Sequence, residues 1–130
     1  MADTNQREMA KHLKLALVVS DTAKAQDGGE ALRAAQEWVR PEEADALVVV
    51  GGDGFMLHVL HRMLDIGRVR PVYGLNLGTV GFLMNRSKGA RPIAERVSRA
   101  RPIAVVPLEM TATTRDGQQQ RLHAINEVSL

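Results

Sequence analysis

Four residues, Gly51-Gly52-Asp53-Gly54, hold the densest chemical signal in the chain, because three of them bare the backbone and the fourth carries a charge. Val48-Val49-Val50 precede them and a helical apolar pattern follows, so the turn joins the carboxyl end of a strand to the start of a helix. In open parallel sheets ligands bind outside the carboxyl ends of strands. Glycine amides together with the free N–H groups of a first helical turn make a concavity suited to phosphate. A carboxylate placed there needs a purpose of its own. It can bind a metal, or it can take the proton of a hydroxyl that attacks a phosphoryl group. It can also simply cap a helix beginning near Gly54, and spacing alone does not choose among these. The turn is neither a P-loop, since no Gly-Lys-Ser/Thr follows, nor a dinucleotide fingerprint, since Leu57 stands where the third glycine would be.

A second glycine turn, Asn76-Leu77-Gly78-Thr79-Val80-Gly81-Phe82-Leu83, also follows an apolar run. Gly78 and Gly81 let backbone approach a ligand, and Phe82 offers either a ring at the mouth of a site or one more core side chain. Near the end, His123-Ala124-Ile125-Asn126-Glu127-Val128 places an amide beside a carboxylate. That pair can bind base and ribose edges, or can be solvated at a strand end. His58, with His61 and Arg62, reads as part of a solvated helix face. A bare His58/His61 pair with no carboxylate between is a poor metal site, and the metal ligands stay unassigned.

The elements that must hold these residues are legible in outline. Leu13 to Ser20 and Ala46 to Val50 read as strands buried on both faces, and Val72 to Leu77 as a third. Asp27-Gly28-Gly29 reads as a break, with a helix from Glu30 carried by Leu32, Ala35 and Val39 and ended by Pro41. Met56, Val59, Leu60, Met63 and Leu64 form a helical stripe, and a short helix begins near Pro92. Strands alternating with helices predict an α/β fold, a Rossmann-like parallel sheet with flanking helices and right-handed crossovers, over residues 1–100. From 101 the pattern changes to period two, with a hairpin turn at Asp116-Gly117. Residues 101–130 read as the first strands of a truncated β-rich second domain.

Taken in order, the three motifs closely resemble the NAD kinase family, particularly its bacterial members, from Lys14 to Leu130. The Gly-Gly-Asp-Gly turn alone is shared with lipid and sugar-phosphate kinases; the second motif and the Asn126-Glu127 pair are more specific. The resemblance implies phosphoryl transfer from ATP, or polyphosphate, to the 2′-hydroxyl of the adenosine ribose of NAD, giving NADP. It implies Asp53 as the catalytic residue and Gly52, Asp53, Gly54, His58, Gly78, Phe82, Asn126 and Glu127 as the nucleotide-binding set. Mg²⁺ or another divalent cation, and a homo-oligomer in the full-length protein, are implied with it. Two departures are Phe55, where many relatives have Thr or Ser, and His58, where many have Arg or Lys. The alternatives are an inactive nucleotide-binding fragment or another kinase with the same glycine turn, acting on a lipid or sugar phosphate.

Composition narrows the field further. The 130 residues are 45% hydrophobic and 25% charged, which suits a folded chain, and only 3% aromatic, which predicts an aliphatic core. Seventeen basic and 15 acidic residues are interspersed, a poor footprint for nucleic acid. There is no cysteine, so disulfides and thiolate chemistry are excluded. With no secretory core and no run of about 20 apolar residues, no membrane partner is expected and a cytoplasmic location is.

Overall fold

The computed structural model describes residues 12–77, 84–86, 91–101, 107–113 and 115–125. Four strands, β1 (Leu15–Val19), β2 (Ala46–Val50), β3 (Val72–Asn76) and β4 (Asn85–Arg86), form one parallel sheet in the order β1-β2-β3-β4. Three helices, α1 (Ala23–Ala35), α2 (Asp53–Ile66) and α3 (Ile93–Arg99), pack on it. The α/β fold class is therefore what the structure has among the described residues.

β2 is the central strand. All five of its residues are buried, as an uninterrupted Ala-Leu-Val-Val-Val run requires of a strand covered on both faces. Its alternate side chains enter two different cores. Leu47 and Val49 meet Ala16 of β1 and the Met56-Val59-Met63 stripe of α2. Val48 and Val50 meet Leu15, Leu75, Ala25 of α1 and Ile93 of α3. Burying a side chain of this size contributes roughly 1.5–3 kcal/mol.

Both long helices are closed by side chains or glycine. Thr22 Oγ1 accepts from Ala25 N–H at the start of α1, and the indole Trp38 Nε1–H donates to the Leu32 carbonyl in its last turn at 2.9 Å. α2 ends in a Schellman motif, with Gly67 at φ 73°, its N–H on Leu64 O and the Arg68 N–H on Met63 O.

The structure departs from the sequence reading at three points. α1 runs straight through Asp27-Gly28-Gly29 and ends at Ala35, before Val39. A Cβ on Gly28 would sit 2.5 Å from Leu77 Cδ1, and one on Gly29 would sit 2.8 Å from Val19 Cγ2. These glycines are the helix's close approach to the sheet, not a break in it. Second, two right-handed crossovers stepping the same way along a sheet put both helices on one face, whereas α1 and α2 lie on opposite faces. After α1 the chain passes the outer edge of β1, where Val39 N–H donates to Leu15 O, and reaches the α2 face at Ala44 before entering β2. Third, β4 has no counterpart in the apolar pattern; it is short, and Asn85 Nδ2 donates to Gly74 O at 3.0 Å.

A second sheet is an antiparallel hairpin of β5 (Pro107–Thr113) and β6 (Gln119–Ile125), turning through Gly117 at φ 86°. The expected hairpin at Asp116-Gly117 is thus present. β6 runs within contact distance of α2.

Candidate functional site

Parallel pairing brings every strand's carboxyl end to one edge, and the glycine turn sits at the middle of it. The ladder continues past the strands: Ser20 N–H donates to Val50 O at 2.9 Å and Gly51 N–H to Leu75 O at 3.0 Å. The turn therefore starts from a backbone fixed on both sides. Because Val19 pairs with Val50, the next residues, Ser20 and Gly51, stand side by side.

α2 begins at Asp53 itself. Its N-cap is Gly52, which has no side chain to cap with, and the Gly52 carbonyl accepts from Met56 N–H at 3.0 Å. Asp53 is the first helical residue, so the reading in which it caps a helix starting near Gly54 does not describe this structure. Its carboxylate, half-buried, stands in the first turn, where the helix dipole favours negative charge. The N–H groups of Asp53, Gly54 and Phe55 have no carbonyl within the helix to donate to. A small, positively polarised backbone surface thus carries one carboxylate at its rim.

The three glycines of the turn are not equivalent. A Cβ on Gly51 would come within 2.9 Å of Phe55 Cδ2 and 3.1 Å of Ser20 Cβ, so packing excludes a side chain there. Gly52 and Gly54 would meet nothing within 4 Å, and neither has a positive φ. Packing and backbone conformation leave both positions free to carry a side chain. Their bareness leaves room for something to approach the backbone.

Of the expected site residues, Gly52, Asp53 and Gly54 are gathered at this turn. His58 lies five residues on, about 7.5 Å of rise and about 140° round the helix. It is exposed, as is Arg62 four residues later, while Met56, Val59 and Met63 take the buried face. Gly78, Phe82, Asn126 and Glu127 lie outside the described residues. Asn76, at the carboxyl end of β3, brings that strand's end to the same edge. Ser20 was legible in the sequence only as the last residue of a strand; aligning the strand ends on the glycine turn is the signal that places it here.

Among the described residues, no group of three or more His, Cys, Asp or Glu could hold a metal ion. A single carboxylate beside first-turn amides is a donor set that fits Mg²⁺ only if the ion arrives on a phosphate ligand, since that ion keeps several waters and takes one or two carboxylates plus substrate phosphates. No helix among the described residues is long and apolar enough to cross a membrane.

Comparison with known proteins supplies what the geometry leaves open. Residues 1–101 match the ATP-NAD kinase N-terminal domain. An NAD kinase of Rhizorhabdus wittichii is 52% identical over 117 residues, which cover 90% of this chain and 45% of that protein. NAD kinases of Zymomonas mobilis and Rhizobium meliloti are 45% and 44% identical over 120 residues, covering 92% of this chain and 46% of each relative. The chain spans a little under half the length of the curated relatives it matches.

Proposed function

The chain belongs to the ATP-NAD kinase family, and from that premise we propose that it supplies the catalytic-aspartate part of an NAD kinase. The reaction is transfer of the terminal phosphoryl group of ATP, or of polyphosphate, to the 2′-hydroxyl of the adenosine ribose of NAD. The ribose oxygen forms a bond to the γ-phosphorus, the bond from that phosphorus to the β,γ-bridging oxygen breaks, and ADP leaves. The hydroxyl proton goes to Asp53. A ribose hydroxyl is a weak nucleophile, and a positioned carboxylate removes its proton as the new bond forms. The observation that carries this reading is Asp53 at the first position of α2, between two glycines that packing does not require.

The bare backbone at Gly52 and Gly54 lets a nucleotide approach the first-turn amides, which donate to its anionic oxygens. Mg²⁺ bound with ATP supplies charge neutralisation of the phosphates. Gly78, Phe82, Asn126 and Glu127 complete the nucleotide contacts in this proposal, and His58 is the more distant phosphate contact. Residues 1–100 form the α/β unit and 101–130 open a β-rich unit. The full-length protein is a cytoplasmic homo-oligomer.

Assaying NADP formation from NAD, ATP and Mg²⁺ tests the reading, with the chain alone and with the remaining half of a close relative supplied. NADP is expected in the reconstituted sample, and Asp53→Asn should lower turnover about 10²–10⁴-fold while nucleotide still binds. Absence of NADP from a reconstituted sample that binds both substrates would leave a nucleotide-binding piece without activity, and the proposal would fall.

A further inference from the structure

Ser20 is the one polar side chain among the described residues that is more than nine-tenths buried, at 7% exposure. Its backbone is fully engaged: the N–H donates to Val50 O, and the carbonyl accepts from Gln26 Nε2 at 2.8 Å. Its hydroxyl has no hydrogen-bond partner among the described residues. The residue as a whole is buried, but its hydroxyl oxygen is not among the fully buried unpartnered side-chain atoms, so this unpartnered hydroxyl keeps contact with solvent and is open to a ligand.

Ser20 follows β1 at the carboxyl edge of the sheet and lies beside Gly51. The point where a Gly51 Cβ would stand is 3.1 Å from Ser20 Cβ and 3.2 Å from Phe55 Cβ. Gly51 thus separates Ser20 from Phe55 in the first turn of α2, whose amides form the polarised surface described above, and Ser20 flanks the glycine turn on its β1 side. A Gly51 side chain would fill the space beside Ser20, and the chain has none there. Gln26, reaching back from α1 to the Ser20 carbonyl, holds the residue in place from the opposite face.

We infer that Ser20 is a ligand contact of this site, its hydroxyl donating to a phosphoryl oxygen of the bound nucleotide. The assignment deepens the nucleotide-phosphate reading and rests on it. Serine suits the place because its hydroxyl rotates to the acceptor and adds no charge to a site already carrying Asp53, with Asp21 exposed next to it.

Two measurements on Ser20→Ala, each with the chain as it stands, test the inference. The first is thermal unfolding without ligand, and the second is calorimetric titration with ATP, NAD and inorganic phosphate. The expected result is an unfolding midpoint unchanged, because the hydroxyl holds no hydrogen bond within the described residues, together with affinity for ATP or NAD about tenfold or more weaker. Ser20→Cys, close in volume and a poor donor, should also fold and bind weakly. A midpoint lowered by several degrees with affinity unchanged, or wild-type affinity in the Cys variant, overturns the inference and leaves the proposed function standing. Failure of the wild-type chain to bind any of the three probes, both alone and with the remaining half of a relative supplied, overturns both.

Discussion

Gly51, Gly52 and Gly54 share a residue type for different physical reasons. Gly51 is a packing glycine, wedged against Phe55 and Ser20, and Gly51→Ala should destabilise the fold by about 1–3 kcal/mol through overpacking. Gly54 is a helical residue with open space where its side chain would be. Alanine favours a helix interior over glycine by roughly 0.5–1 kcal/mol. Gly54→Ala should therefore raise the unfolding midpoint and weaken nucleotide binding at once, opposite signs that chemical denaturation and calorimetry read separately. Spacing along the sequence located the turn and its acid. It left the role of Asp53 open because a one-residue difference in where the helix starts decides whether that side chain caps the helix or stands in its first turn. Nor did the sequence separate one kind of glycine from the other, since the difference lies in Ser20 and Phe55, the first of which is far from Gly51 in the chain.

Among the elements, β1, β2, β3, α2 and α3 were legible from apolar runs and helical stripes, and α1 was misplaced. Glycines read as a break when only local propensity is considered, and here tertiary contact decides instead. The two glycines of α1 also differ in what opposes them. A Gly28 Cβ would press on Leu77 Cδ1, the far end of a flexible side chain, whereas a Gly29 Cβ would press on both γ-carbons of Val19, a β-branched residue stiff at χ1. Gly28→Ala should accordingly be near neutral, helix propensity offsetting a small shift of Leu77. Gly29→Ala should cost about 1–3 kcal/mol. Urea midpoints of the two variants, measured side by side, check the contrast. Which face each helix takes was not legible at all. Strand and helix alternation is the same for either face, and the passage of residues 38–40 round β1 includes a backbone hydrogen bond, Val39 to Leu15, that no pattern of side chains announces.

At the scale of the molecule, the sheet is the rigid part and the hairpin the less supported one. β2 is buried along its whole length and paired on both sides, whereas β5 and β6 pair only with each other in the described residues. Two strands without a third are marginal in water. Native-state hydrogen exchange should show the amides of Val48, Val49 and Val50 opening only with global unfolding, and those of β5 and β6 exchanging through local opening at much lower free energy. Supplying the remaining half of a relative should slow exchange in β6 specifically, because this hairpin is the proposed start of the β-rich unit. Much of the resemblance read from the sequence rests on residues 78–83 and 126–127, which lie outside the described residues.

Trp38 is the chain's single tryptophan, and its position has a practical consequence. Its indole closes the last turn of α1 beside the start of β1, at the amino end of the strands, while the Gly51-Gly52-Asp53-Gly54 turn lies at their carboxyl end. Intrinsic emission is thus a natural optical gauge of whether α1 is docked on the sheet. It should shift to the red as that helix leaves the sheet in denaturant, and keep its wavelength when a nucleotide occupies the far edge.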